Sequence, residues 1–299
     1  MLRLLIPLLV PSLGVMISDL RAQLPDVELM GELPPVLGES SGVAVSRVND
    51  GVLWTHNDSD NDAVLYAIDI TGELLGTVAL EVATVRDWED VSLGPCVEDR
   101  SAHCLYVADT GDNMRQRSVY SIYIIVEPLV SSKIDVDSST QASVQRVDFR
   151  YPDAPHDAEG LAVAPEGDIY IVTKGWDGTA RLFVITREAV ERAIQSSVTV
   201  TAAVEEDRSI ETGGALPMLI TGAAFSPSGK TMVARSYVGF YFFDRDDAGK
   251  LQPREQTCQL GYREPQGEGI DFLDEATLVL TSESLHGRPG TIHRVRCDM

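Results

Sequence analysis

Short stretches in which apolar and polar residues alternate recur along most of the chain and predict β-strands. One clear unit spans residues 87–113, where a first strand opens on carboxylates and continues into Val91 and Leu93. Its second strand, residues 105–108, is apolar and ends at a run of Asp and Asn. A period of two over four to eight residues is typical of half-buried strands. The unit is therefore predicted to be a hairpin with both polar clusters at the same end.

The same frame occurs five times. Each copy has a short first strand around a small residue, a turn, an apolar second strand and a third strand. The five first strands cover residues 41–45, 89–93, 159–163, 221–225 and 268–272. Self-similarity at this period, with no helical periodicity, predicts an all-β single β-propeller. Five blades are expected, and a sixth, degenerate blade remains open in the long connection of the second repeat or between residues 198 and 218.

Three segments outside the frame have their own predictions. VELMGEL, before the first repeat, is an unpartnered strand, and the last repeat stops at its third strand, HRVRCDM. An edge strand needs a neighbour, so we expect the N-terminal strand to complete the last blade and close the ring. SSKIDVDSSTQAS, in the second repeat, is predicted to be a solvated surface loop. TREAVERAIQSS has helical spacing, with Thr186 as the N-cap.

The first 22 residues have the composition of a secretory signal peptide: Arg3 precedes an apolar run, and Ala22 offers a small residue for cleavage. A short membrane anchor or a buried helix is the alternative. The apolar run is shorter than the roughly 20 residues that a membrane span needs, and Pro7 and Pro11 interrupt it. We therefore expect a signal peptide at residues 1–22, one propeller domain at 23–299, no integral membrane segment after cleavage, and a secreted or periplasmic protein.

The four cysteines fit an oxidising compartment. Cys96 and Cys104 flank the turn of one hairpin and could close it, while Cys258 and Cys297 could pin the C-terminus. Four unpaired buried thiols are the alternative. Neither pair has the CxxC spacing of a zinc site.

Charge narrows the set of partners. The chain has 299 residues, with 24 Lys and Arg against 46 Asp and Glu, a net charge of −22. Nucleic acid and anionic membranes are disfavoured, and cations, including divalent ones, are favoured. A strongly acidic surface can also serve solubility alone. A monomer is expected.

Several phrases resemble known proteins. The turns SPSGK and APEGD, and the phrases DWED, ADTGDN and HDAEGLAV, are similar to those of secreted bacterial β-propellers of the phytase-like, NHL-type and gluconolactonase-like groups. The resemblance covers nearly the whole chain after the signal. It implies a propeller and a calcium ion at the mouth of its channel, and it gives no substrate.

The repeat frame predicts where chemistry would assemble. Consecutive strands of a blade are antiparallel, so first-strand starts and second-strand ends share one face of the disc. Carboxylates gathered there suit calcium, which takes six to eight oxygens. The expected metal ligands are Glu89, Glu159 and Glu268, followed by Asp58 and Asp109. Without a metal, the acids would cap backbone amides or pair with Lys174 and Arg235.

Two functions follow from this prediction. The preferred one is a binding or scaffold protein whose acidic mouth holds a divalent cation, with a small-molecule ligand as a further expected partner. The other is a metal-dependent hydrolase of the phosphoesterase or lactonase type. In that case His56 or His156 would activate water, while Lys174 and Arg235 would hold an anionic substrate. No GxSxG, HExxH or phosphate-loop motif supports catalysis.

Overall fold

The computed structural model of the chain describes residues 25–59, 61–82, 85–130, 140–261 and 263–297. The predicted signal peptide, residues 1–22, lies outside this part of the chain. No helix within the described ranges is both long enough and apolar enough to cross a bilayer.

Nearly all of the regular structure in these ranges is β. The first half contains β1 (Asp26–Glu32), β2 (Ser40–Val45), β3 (Val52–Asn57), β4 (Val64–Asp69), β5 (Leu74–Leu80), β6 (Trp88–Pro95), β7 (His103–Asp109), β8 (Tyr120–Val126), β9 (Thr140–Ala142) and β10 (Gln145–Arg150). The second half contains β11 (Ala158–Val163), β12 (Ile169–Thr173), β13 (Thr179–Ile185), α1 (Arg187–Ser196), β14 (Val200–Thr201), β15 (Ala203–Glu211), β16 (Ile220–Phe225), β17 (Thr231–Ser236), β18 (Gly239–Arg245), β19 (Leu251–Gln259), β20 (Gln266–Phe272), β21 (Thr277–Glu283) and β22 (Thr291–Arg296).

These strands form five sheets, which are the five blades of a β-propeller. The innermost strands are β2, β6, β11, β16 and β20, and each contacts the next in a closed ring. Antiparallel neighbours follow outwards in each blade, as in β16, β17, β18 and β19. The prediction of an all-β single propeller with five blades is confirmed.

The buried apolar side chains form five clusters, each between two neighbouring blades. The cluster between blades 1 and 2 contains Trp54 and Trp88, both 1% exposed. Each sheet is covered on both faces by its neighbours, which explains why the inner and second strands are buried along nearly their whole length.

The two segments that left room for a sixth blade extend existing blades. The strand β9 pairs in parallel with β5 at the outer edge of blade 1, and β14 pairs in parallel with β10 at the edge of blade 2. The surface loop predicted for residues 131–143 therefore ends in a strand, because the open edge of β5 offers backbone partners. Residues 131–139 of that loop lie outside the described chain.

The first and last strands close the ring as predicted. The strand β1 pairs antiparallel with β22, from Asp26 opposite Arg296 to Glu32 opposite Thr291. The predicted disulfides are also present: Cys96–Cys104 closes the β6–β7 hairpin, and Cys258–Cys297 ties blade 4 to the end of blade 5. Helix α1 is capped by Thr186, whose side chain accepts a hydrogen bond from the backbone N–H of Ala189.

Candidate metal-binding site at the upper channel mouth

The inner strands all begin at one face of the disc, which we call the upper face, and the second strands of the blades end there. Glu89 is near the start of β6, Glu159 near the start of β11 and Glu268 near the start of β20. We call this end of the channel the upper mouth. The shared direction of the strands brings residues from all parts of the sequence to it.

The channel is narrowest just below these acids. Four inner strands carry a glycine at the same position of the repeat frame, Gly42, Gly160, Gly222 and Gly269. A Cβ atom at Gly269 would lie 2.8 Å from the backbone nitrogen of Val43, and one at Gly42 would overlap with the backbone of Val91. The strands therefore approach too closely for side chains at this level.

The fifth inner strand has Asp90 at that position, and its carboxylate reaches across the axis. One oxygen accepts hydrogen bonds from the backbone N–H of Leu161 (2.8 Å) and Ala223 (3.1 Å), and the other from Val91 (2.8 Å). Burial raises the pKa of Asp90 well above its ordinary value, although these three N–H groups act in the opposite direction. Asp90 thus links blades 2, 3 and 4 and fills the waist of the channel.

Above Asp90, two groups of three carboxylates share Glu89. One group is Glu89, Asp157 and Glu159, all buried, and the other is Asp58, Asp87 and Glu89. In each group, one oxygen per residue lies within 4.8 Å of the others. This spacing is compatible with a single ion bound by three carboxylates.

Lys174, which follows β12, is the cation at this cluster. Its Nζ lies 2.5 Å from Glu159 Oε1, and its side chain is 12% exposed. Burial alone would lower the pKa of the Lys174 ammonium, but the carboxylates of Glu159 and Glu89 raise it above its ordinary value. Trp176 stands beside it, with the ring centroid 5.8 Å from Nζ, and donates its indole N–H to Asp157 (3.1 Å).

Glu268 lies on the blade 5 side of the mouth and is only partly satisfied. Its Oε1 accepts hydrogen bonds from the Tyr237 hydroxyl (3.3 Å) and the Gln266 side chain (3.0 Å). Its Oε2 is buried and has no hydrogen-bond partner in the described chain. The same Gln266 amide also reaches Glu283 at 2.8 Å.

The carboxyl groups of the upper mouth have raised pKa values. Burial, followed by the charges of Glu159 and Asp58, raises the pKa of Glu89 well above its ordinary value. Burial raises the pKa of Glu159 to about 8 against the opposing effect of Lys174, and raises that of Glu268 to about 8 together with the charge of Glu283. Several carboxylates thus share one ammonium, so ionising them all requires a further positive charge.

Of the five predicted metal ligands, Asp109 is placed elsewhere. It forms an ion pair with Arg117 (2.8 Å) and accepts weak hydrogen bonds from the backbone N–H of Arg86 and Asp87 at 3.3 Å each. Glu89, Glu159 and Asp58 belong to the two carboxylate groups, and Glu268 lies beside them without joining either.

Of the four predicted catalytic residues, Lys174 alone contacts a carboxylate of the two groups in the described chain. Arg235 is fully buried, pairs with Glu264, and donates hydrogen bonds to two backbone carbonyl oxygens of blade 5. The ring nitrogen Nε2 of His156 lies 3.0 Å from Asp153, and its ring packs against Tyr151 and Phe183.

His56 is fully enclosed beside Trp88. Burial lowers the pKa of His56 to about 4, although backbone groups of Asn57 and Asp90 act to raise it, so the ring is neutral at pH 7. Its Nδ1 lies 2.9 Å from the carbonyl oxygen of Asn57. Its Nε2 has no partner at hydrogen-bond distance in the described chain.

Asp87 and Asp157 are the ligand candidates missing from the predicted set. Each stands two residues before a predicted ligand, Glu89 or Glu159, and residues two apart on a strand point to the same side. That spacing was the available signal. For Asp90 the available signal was different: it stands at a position where the other four repeats have glycine.

Comparison with known proteins gives the fold and little more. No family model matches the chain, and no curated protein matches it. Among solved structures, it is similar to the PQQ-bound form of aldose sugar dehydrogenase (Adh) from Streptomyces coelicolor, with a TM-score of 0.51 and 12% identity over 91% of this chain and 98% of that one. The likeness shows a shared propeller architecture. The predicted resemblance to propellers is confirmed at that level, and the cofactor belongs to the neighbour.

Proposed function

We propose that this protein is an exported ligand-binding propeller whose upper mouth holds a divalent cation, with calcium as the expected ion. The group formed by Glu89, Asp157 and Glu159 carries this proposal, because three buried carboxylates meet there and Lys174 pairs with one of them. Hard oxygen donors without Cys or His favour calcium over zinc. Asp58 and Asp87 extend the donor set through Glu89.

The electrostatics of the mouth support an ion. Ionised carboxylates are costly to bury without a compensating charge, which is why the pKa values of Glu89 and Glu159 are raised. A divalent cation offsets that cost when the protons leave. The buried Oε2 of Glu268, which lacks a donor, is a further polar atom that an ion or a ligand would satisfy.

A bound ion would also recruit a ligand. Calcium takes six to eight oxygen atoms, more than three carboxylates supply when each binds through one oxygen. Water or the oxygen atoms of a small molecule would complete the shell at the upper mouth. This makes an oxygen-rich ligand the expected partner of the loaded site.

Export rests on two features of different kinds. Both disulfides are of the type that persists in an oxidising compartment. The composition of residues 1–22 is that of a signal peptide.

Thermal unfolding after chelator treatment, with and without added calcium, tests the ion site. The melting temperature of the wild type should rise with calcium concentration, since an ion that binds the native state stabilises it. Glu89→Gln should lose this response while its calcium-free form melts at the same temperature or higher, because a buried carboxyl group whose ionisation is costly has been replaced by a neutral amide. Glu255→Gln, a change at an exposed position of β19, is the matched control and should respond as the wild type does. No calcium response and no tightly held metal by elemental analysis would leave the acids as structural caps.

A metal-dependent hydrolase is the second candidate, favoured by one observation. Burial raises the pKa of Glu268 to about 8, in the range where a general base is effective at neutral pH. If the protein is an enzyme, phosphoesters or lactones should be hydrolysed only with calcium. Glu268→Gln should then abolish turnover and leave calcium binding intact.

A further inference from the structure

The opposite end of the channel has a cavity of its own. The inner strands β6, β11 and β16 end on the lower face of the disc, at Pro95, Val163 and Phe225. A cavity of about 350 Å³ opens among these ends and the turns that follow them. The residues that line it include Arg47, Leu93, Arg100, Val163, Phe225 and Pro227. We call this end the lower mouth.

Its lining combines apolar surface with positive charge. Leu93, Val163 and Phe225 supply aliphatic and aromatic walls, while Arg47 and Arg100 supply two guanidinium groups. No lining residue is acidic, in a chain with nearly twice as many acidic as basic side chains. Neither guanidinium makes an ion pair or a hydrogen bond with another described residue.

The acids nearest to this cavity already have partners. The carboxylate of Asp271 accepts hydrogen bonds from the backbone N–H of Val45 (2.6 Å) and Phe272 (2.7 Å). Burial raises the pKa of Asp271 to about 6, against the opposing effects of the Val45 hydrogen bond and the charge of Arg47. Glu275, in the blade 5 turn, accepts hydrogen bonds from the backbone N–H and hydroxyl of Ser228. Arg47 and Arg100 therefore line the cavity without forming an ion pair in the described chain, although the charge of Arg47 acts on Asp271.

The lower mouth is separate from the upper one. Asp90 and the glycines of the inner strands fill the waist between them, so a molecule in the lower cavity does not reach the carboxylates above. Occupancy of the lower mouth is therefore independent of the ion site.

We propose that the lower mouth binds a small organic anion in which an apolar group carries a carboxylate. The guanidinium fork matches a carboxylate with two parallel hydrogen bonds, which makes Arg47 and Arg100 the anion-binding residues. The walls formed by Leu93, Val163 and Phe225 receive the apolar part. A cavity of this size, in which apolar walls and charged groups lie side by side, is within the range of small-molecule sites.

Calorimetric titration of the full-length folded protein with simple probes tests this proposal. Benzoate, which has both parts of the expected ligand, should bind with a dissociation constant of about 0.1–1 mM, the range expected for a fragment-sized ligand. Three control probes should bind at least about tenfold more weakly: acetate lacks the apolar ring, benzyl alcohol lacks the charge, and benzylammonium has the opposite charge. Benzoate binding should weaken as salt is added.

Variants locate the binding at this cavity. Arg47→Ala combined with Arg100→Ala should reduce benzoate affinity at least about tenfold, a factor typical of losing a charge-assisted pair. Arg192→Ala combined with Arg288→Ala removes two other exposed arginines and should change nothing. Pro227→Glu places a carboxylate in an exposed turn at the cavity and should also abolish binding while the melting temperature stays that of the wild type. The proposal would be overturned by any of three results: acetate binds as tightly as benzoate, the variant lacking Arg47 and Arg100 keeps the benzoate affinity of the wild type, or benzoate does not bind up to about 10 mM.

Discussion

At the upper mouth the inner strands β6 and β11 have Glu89 and Glu159 as their second residues, whereas at the lower mouth the same strands end with Pro95 and Val163. The upper mouth gathers buried carboxylates around one lysine, and the lower mouth gathers two arginines around apolar walls. Strand geometry is the same at both ends. The chemistry differs because the residues that flank each strand are free to vary while the strand itself must pack.

The comparison also shows what separates the two sites. A ring of glycines lets the inner strands approach, and one aspartate fills the space that remains. The backbone N–H groups of Leu161 and Ala223 point at the axis and need an acceptor there. Asp90 supplies it, so the partition between the mouths is also a structural junction.

The largest expected effect comes from removing that partition. Asp90→Ala leaves three backbone N–H groups without their acceptor, at a cost of at least about 1 kcal/mol each. We expect the free energy of unfolding, measured by urea denaturation, to fall by about 3 kcal/mol or more. Asp247→Ala, in an exposed turn, should leave it unchanged. A loss below about 1 kcal/mol for Asp90→Ala would mean that its hydrogen bonds do not hold the waist together.

pH should act on the buried carboxyl groups of the upper mouth. The folded-state pKa values of Glu159 and Glu268 are raised to about 8 by burial, above the ordinary value of 4.5. The folded calcium-free protein therefore binds more protons than the unfolded chain between these limits, and its stability should fall as pH rises from about 4.5 to about 8. Saturating calcium should suppress the part of this fall that comes from Glu159, since the ion replaces the proton of a carboxyl group that binds it.

The same linkage predicts calcium affinity. For each proton that calcium displaces, calcium affinity should rise about tenfold for every unit by which the pH is raised, up to about pH 8. Titration calorimetry at several pH values measures this slope directly. An affinity that does not change with pH would mean that calcium binds away from the buried carboxylates.

A smaller effect should follow from Lys174→Met. The ammonium lies 2.5 Å from Glu159 and competes with any added cation for the same charge. Its removal should tighten calcium binding, by about tenfold if the charge interaction is worth about 1.4 kcal/mol, and should lower the stability of the calcium-free protein. Weaker calcium binding in this variant would indicate that Lys174 orients the ligands rather than competing with the ion.

The smallest effect should be the coupling between the two mouths. Because Asp90 closes the waist, saturating benzoate should change calcium affinity by less than about twofold, and so should Arg47→Ala. A larger change in either titration would show that the two mouths communicate.

The fold was readable from the sequence because every blade repeats the same small residue, turn and apolar strand. Five copies, an unpartnered N-terminal strand and a last repeat that lacked one strand were enough to predict the closed ring. The convergence of Glu89, Glu159 and Asp58 followed from strand direction alone. These features repeat along the chain, and a repeat can be recognised in a single sequence.

Asp109 and Arg235 lie away from the two carboxylate groups for a common physical reason. Asp109 pairs with Arg117, which lies in a loop that turns back over the strand end. Arg235 is buried because Glu264, in the connection before β20, meets it. Both partners, Arg117 and Glu264, lie outside the repeat frame, so the spacing of the repeats does not predict their positions. A charged side chain is buried only where an opposite charge offsets the cost of burial.

The pairing of β1 with β22 also determines when folding can finish. These strands lie at opposite ends of the described chain, so the last contacts of the ring have nearly the largest sequence separation that the protein allows. Contacts of this kind form slowly, because closing a long loop costs conformational entropy before the contacts can stabilise the closed chain. The ring therefore stays open until β22 is available to pair with β1. The two ends of the described chain thus share one closing step, the pairing of β1 with β22.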